Sequence, residues 1–152
     1  MTDKILLDNV GDYTNIEVRG SINEGFDPNL AKRVECQKVL VDLDQLKLIN
    51  SSGVREWINF LDLLSEKDIV YRKCPKIFID QLNMVNGMLR DNISIESFYV
   101  PFYSEESDEE KDVLMNPSDI QDINNLPEQK DSQGNLLEFD DIPQKYFKFL
   151  NR

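Results

Sequence analysis

Along this chain the apolar positions recur with two different periods, and the switches between them mark the elements. Ile5 to Val10 is a short apolar run, and Thr14 to Ile22 sets Ile16 and Val18 against Glu17 and Arg19, the two-residue period of a half-buried strand. Gly11-Asp12 between them is a turn signal, so an opening hairpin is expected. In GSINEGFDPNLAKRV, Asp27 can cap a short helix with Pro28 at its first position and with Leu30, Ala31 and Val34 facing inward. Val39, Leu40 and Val41 are consecutive, the run expected of a central strand covered on both faces.

The period then changes. After Asn50-Ser51-Ser52-Gly53, the residues Val54, Trp57, Ile58, Leu61 and Leu64 fall at helical spacing, with Arg55, Glu56, Asn59 and Asp62 on the other side. The helix is expected to begin near Gly53. Ile69-Val70-Tyr71 is a further strand, and Pro75 can open a helix with Phe78, Leu82, Val85 and Leu89 on one face. Met84 and Met88 beside that stripe read as core filling. Ile95 to Tyr103 alternates Phe98, Val100 and Phe102, as a last strand would. The predicted fold class is therefore α/β, a mixed sheet with helices in the order β-β-α-β-α-β-α-β, followed by a small carboxyl-terminal extension.

Charge draws the boundary between the two. Residues 1–103 carry a net −4, residues 104–141 a net −11 from 13 acids and two bases, and the last eleven residues +3. The division expected is a domain over 1–103 and an acidic extension over 104–152. Its terminal segment, IPQKYFKFL, is aromatic, and Phe139, Tyr146, Phe147, Phe149 and Leu150 are the residues expected to tie the extension to the body.

Composition narrows the chemistry. The chain has 152 residues, 40% of them hydrophobic and 9% aromatic, enough for a folded core. It has no histidine, which removes Ser-His-Asp and Cys-His nucleophile systems and the commonest general base, so no catalytic residue and no enzymatic activity is expected. A net charge of −12 argues against nucleic acid as a partner, since nothing would displace its counterions. With no apolar run of roughly 18 residues and no basic, apolar leader, neither a membrane nor secretion is expected. Cys36 and Cys74 match neither a disulfide framework nor a zinc pattern, and a cytoplasmic setting without cofactors follows.

The Asn50 to Gly53 turn sits where a strand ends and a helix begins, the position at which α/β sheets present their loops to ligands and partners. Its two hydroxyls and unpaired backbone N–H groups suit either a plain helix cap or a phosphoryl group. The stretch DLDQLKLINSSGV resembles the hallmark of the STAS domains, the anti-sigma factor antagonist family: a strand ending in Asp-Leu, an apolar link, then Asp-Ser-Ser-Gly. GSINEGFDPNLA resembles that family's preceding loop and short helix. The resemblance covers roughly 90 residues, from about Lys4 to Met88. It implies a non-enzymatic signalling domain that binds a protein partner of the anti-sigma factor or serine kinase kind. Ser51 matches the serine that such a kinase phosphorylates, with Ser52 beside it as a second candidate. Phe26, Asn50, Gly53 and Arg55 would form the partner-binding loops. Asn50 stands where the family has aspartate, and Arg55 where a small glycine commonly follows. A scaffold that binds its partner constitutively, without phosphorylation, is the alternative.

The extension resembles a zinc ribbon that has lost its cysteines. Ser104-Glu105-Glu106-Ser107 has the spacing of a first metal knuckle, and Asp131 to Gly134 sits where a second would be. Neither offers thiolate or imidazole, so no metal is expected and SEESDEEKD reads as a solvated acidic loop.

Overall fold

A computed structural model describes residues 3–151. Five strands form one sheet in sequence order: β1 (Lys4–Asn9), β2 (Tyr13–Ile22), β3 (Lys38–Ile49), β4 (Asp68–Arg72) and β5 (Ile93–Ile95). β1 and β2 pair antiparallel as the expected hairpin, and the remaining pairs are parallel, so the sheet is mixed. The crossovers are a 3-10 helix, Pro28–Arg33, and two α-helices, α1 (Ser51–Leu63) and α2 (Lys76–Met84). Strands laid down in sequence order with right-handed crossovers place their helices on one face. The predicted α/β class and element order hold through β5.

That one-sided cover shows in the burial. Val39, Val41 and Leu43 are sealed while Leu40 between them is half-buried, so the central strand is not covered on both faces as its apolar run suggested. The covered face holds an aromatic cluster. Trp57 lies 5.1 Å from Phe60 and 5.2 Å from Phe26, and Phe78 packs edge-on to Tyr71 at 4.9 Å. The polar tips are satisfied: Trp57 Nε1 donates to the Tyr71 hydroxyl at 3.2 Å, which donates to the Met88 carbonyl at 2.7 Å. Burial pushes the Tyr71 phenol well above its ordinary range.

Several local expectations need correction. The first crossover is a 3-10 helix rather than an α-helix, though Asp27 does cap it through the Asn29 N–H at 2.9 Å. Helix α2 stops at Met84, so Leu89 lies beyond it, and Met84 is 70% exposed while Met88 is buried. The strand expected over Ile95 to Tyr103 is two strands. β5 ends at Ile95, and β6 (Phe98–Tyr103) leaves the first sheet after a single bridge between Phe98 and Cys74.

β6 begins a second, antiparallel sheet with β7 (Glu110–Met115) on one side and β8 (Glu138–Phe139) on the other. The acidic stretch thus contains the start of a strand, because Val113 and Met115 give β7 an inward face despite its charges. The boundary expected after Tyr103 falls in the turn joining β6 to β7. The chain closes with a short helix, α3 (Pro143–Tyr146), and a 3-10 turn, Phe147–Leu150. Tyr146, Phe147 and Phe149 are buried, with Phe149 5.0 Å from Phe98 and Phe147 stacked on Phe139 at 5.3 Å. The Tyr146 hydroxyl donates to the Tyr99 carbonyl, and Asn83 Nδ2 donates to the Tyr146 carbonyl at 2.8 Å.

Candidate functional site

The site is built where β2 and β3, lying parallel, end at the same edge of the sheet. The Asn50 N–H donates to the Ile22 carbonyl at 3.2 Å, tying the start of α1 to the end of β2. Gly53 makes the tie close. A Cβ at that position would sit 2.1 Å from the Ile22 carbonyl oxygen and 2.7 Å from the Asn23 nitrogen, so only glycine lets the first turn of α1 lie against this backbone.

Helix α1 begins at Ser51, two residues before the expected start, and its cap is the side chain of Asn50. Asn50 Oδ1 accepts from the Gly53 N–H at 2.7 Å. The other end of the same amide is also engaged, with Nδ2 donating to Glu24 Oε2 at 3.2 Å. Glu24's own backbone N–H, and then this amide, hold its carboxyl below the usual range. A negative charge therefore stands beside the helix start, carried by residue 24 in place of residue 50. Asn23 orders the rest of the loop: its Oδ1 accepts from the Gly25 N–H at 2.9 Å and its Nδ2 donates to Asp3 at 3.2 Å.

The predicted site residues separate by exposure. Ser51 is exposed at the first helical position and Arg55, one turn along, is exposed as well; Ser52 is half-buried. Asn50 is exposed and engaged at both ends of its amide, and Gly53 is buried by its contact with β2. Phe26 is 5% exposed, its ring held against Trp57 and Phe60, which leaves little of it at the surface. The apolar loop residue read as a contact is a core residue, which an isolated Phe between polar neighbours did not reveal. Glu24 is the residue that sequence reasoning missed. No local signal marks it, because the two loops meet only through the pairing of β2 with β3.

Neither cysteine is hydrogen-bonded to a basic side chain among the described residues. Burial pushes the Cys74 thiol far above its ordinary range, and Cys36 Sγ donates to the Gly11 carbonyl at 3.5 Å. Among the described residues no group of three or more Cys, His, Asp or Glu side chains could hold a metal ion.

A second polar centre lies in the extension, where the turns at 104–107 and 131–135 meet. Ser107 Oγ donates to Asp131 Oδ2 at 2.8 Å, and the Ser107 N–H donates to Ser104 Oγ at 3.3 Å. The Asp131 carboxylate also accepts from the N–H groups of Gln133 and Asn135, both at 2.9 Å, and from Asn135 Nδ2 at 3.1 Å. Ser104 is 2% exposed and Asp131 7%. Desolvation, which would raise the Asp131 pKa, is outweighed by the donors from Ser107, Asn135 and Gln133, and its carboxyl lies well below the usual range.

No protein-family model and no curated protein matches this chain. Among solved structures, the chain is similar to that of the anti-sigma factor antagonist SpoIIAA in its unphosphorylated form, at 13% sequence identity and a TM-score of 0.35. The match covers 45% of this chain and 72% of that one.

Proposed function

We propose that this chain is a non-enzymatic protein-interaction domain of the anti-sigma factor antagonist kind, docking a protein partner through the exposed rim formed by Asn50, Ser51 and Arg55. The observation that carries this reading is the exposure of Ser51 at the first position of a capped helix whose start is fixed to the neighbouring strand. A phosphoryl group there would add a charge of about −1.5 to −2. The helix amino terminus tolerates that charge, and Arg55 on the next turn can pair with it. Added to Glu24, it would repel an acidic partner surface. The proposed setting is the cytoplasm. No helix among the described residues is long and apolar enough to cross a membrane.

A second reading, a scaffold that binds constitutively, is favoured by one feature. Asn50 replaces the family's aspartate, and both ends of its amide are already engaged. The two readings separate in a quantified pull-down after incubation with serine kinases. Ser51→Ala is expected to retain the partner and Ser51→Glu to lose it. Equal capture by both variants would leave the constitutive scaffold.

For the extension, we infer a ribbon-like unit in which hydrogen bonds stand in for a metal. The convergence of Ser104, Ser107 and Asp131 supports this reading, since none of them is a ligand of structural zinc sites built from Cys and His.

A further inference from the structure

A groove of about 960 Å3 opens in the extension between residues 123–129 and the stretch 134–139. That is the upper end of the roughly 300–1,000 Å3 range of clefts that enclose compact ligands. Its lining mixes apolar and polar groups: Phe102 and Leu137 are buried, Ile123, Leu126 and Phe139 half-buried and Leu136 58% exposed, beside Asn124, Asn125, Gln129 and Asn135. Its charged lining is of one sign. Glu106, Glu128 and Glu138 contribute carboxylates, and no lysine or arginine among the described residues lines it. The stretch around it, residues 104–141, carries 13 acids against two bases.

Those features select an occupant. The chain's own aromatic tail does not line the groove: Tyr146, Phe147 and Phe149 are buried, Phe147 against Phe139 and Phe149 against Phe98. A second copy would bring a chain of net charge −12 to an acidic rim, and nucleic acid is excluded by the same repulsion. We propose that this groove captures a basic, apolar peptide segment of a partner protein. A leucine-like side chain enters among the apolar lining residues and flanking Lys or Arg side chains meet Glu106, Glu128 and Glu138. The apolar anchor supplies the affinity and the carboxylate rim, still in contact with water, supplies encounter rate and selection. The proposal stands apart from the Ser51 reading, which concerns the opposite sign of partner surface and a different sheet.

The test titrates the full chain into fluorescein-labelled decapeptides at about 0.15 M salt, where long-range attraction is screened. One peptide alternates Leu and Lys, a second Ser and Lys, and a third Leu and Glu. The Leu/Lys peptide is expected to bind and the other two to bind at least about tenfold more weakly, because anchor and charge are both required. Glu128→Lys and Leu136→Ser, both at exposed positions, should each weaken the Leu/Lys peptide several-fold. Glu35→Lys, the same charge change on the distant loop before β3, should not. Amide shifts on binding are expected at residues 123–129 and 134–139. Equal weakening by Glu35→Lys, equal affinity for the Ser/Lys peptide, shifts confined elsewhere, or no binding of the Leu/Lys peptide would each overturn the proposal.

Discussion

The two sheets of this protein are ordered by different means. In the five-stranded sheet the polar groups serve an apolar core: Asn50 caps a helix, Trp57 and Tyr71 bond to each other, and the aromatic cluster between α1, α2 and β4 excludes water. The three-stranded sheet has few such residues in its own acidic stretch and is held at two ends. One end is apolar, where Phe98, Phe139, Tyr146, Phe147 and Phe149 close the tail onto α2 and β6. The other is polar, where Asp131 gathers Ser107, Gln133 and Asn135. A chain segment of net −11 cannot collapse on hydrophobicity alone, so it folds by borrowing a core and by spending one buried carboxylate on four donors.

The borrowed core makes the strongest test of that contrast. Phe147→Ala removes a ring that is 1% exposed and should cost about 3–5 kcal/mol, the usual loss for a buried aromatic. Because Phe147 touches Phe98 as well as Phe139, thermal melting should remain a single transition at lower temperature. Two separated transitions would show that the sheets fold independently. Links outside the rings point the same way: the Tyr99 hydroxyl on β6 donates to Asp44 on β3, a bond to a carboxylate that pushes the phenol up to about 12. Lys76 on α2 meets Asp141 at 3.1 Å.

Much of the first sheet was legible because its signals are local. The two-residue period of Thr14 to Ile22, the cap-and-proline pair Asp27-Pro28 and the stripe from Val54 to Leu64 each report the element they sit in. The misreadings arise where tertiary contacts decide. Phe60 lies off the stripe that was read and is sealed by Phe26, a contact between distant residues. The break between Ile95 and Phe98 is invisible to alternation, since both halves keep a two-residue period while changing sheets. β7 was hidden because Glu110, Lys111 and Asp112 mask the inward positions that follow. That Asp131 would become the hydrogen-bonded hub of two turns in the extension was not readable, because the partners Ser107 and Asp131 are 24 residues apart. At the candidate site, the sequence placed Ser51 and Asn50 at a helix start, whereas the pairing of Asn50 with Glu24 depends on two loops that only the sheet brings together.

A smaller, local effect tests the polar end. Asp131→Asn keeps the shape of the side chain but lacks the charge and presents an amide to the N–H donors, so the turn at 131–135 should loosen while the five-stranded sheet persists. Hydrogen exchange at Ser107, Gln133 and Asn135 would report it. The linkage has a definite sign. The folded-state pKa of Asp131 is depressed, so its contribution is present above the unfolded carboxylate range and is lost as pH falls through and below that range. The variant and the parent should differ near neutrality and converge in strong acid. An equal difference at every pH would mean that the carboxylate charge is not what holds these turns.

The smallest effects separate capping from signalling at the start of α1. Asn50 Oδ1 makes the cap bond, so Asn50→Ala should cost about 0.5–2 kcal/mol, whereas Ser51→Ala, at an exposed first helical position, should stay within about 0.5 kcal/mol. Asn50→Asp is the more informative change. An aspartate can keep the cap and gains up to about 1 kcal/mol from the helix dipole, but it cannot donate to Glu24 Oε2, which lies 3.2 Å from the present amide nitrogen. Two facing carboxylates would then repel, and the repulsion would fade as salt is added. The expected result in urea unfolding is a variant less stable than its parent at low ionic strength and close to it at high. Stabilisation at low salt would show that Glu24 turns away freely, and the account of why an asparagine stands here would fail. With Glu24→Gln in the same chain the penalty should vanish, because the neutral amide can donate to the new carboxylate, and that double substitution ties the effect to this pair rather than to the helix end alone.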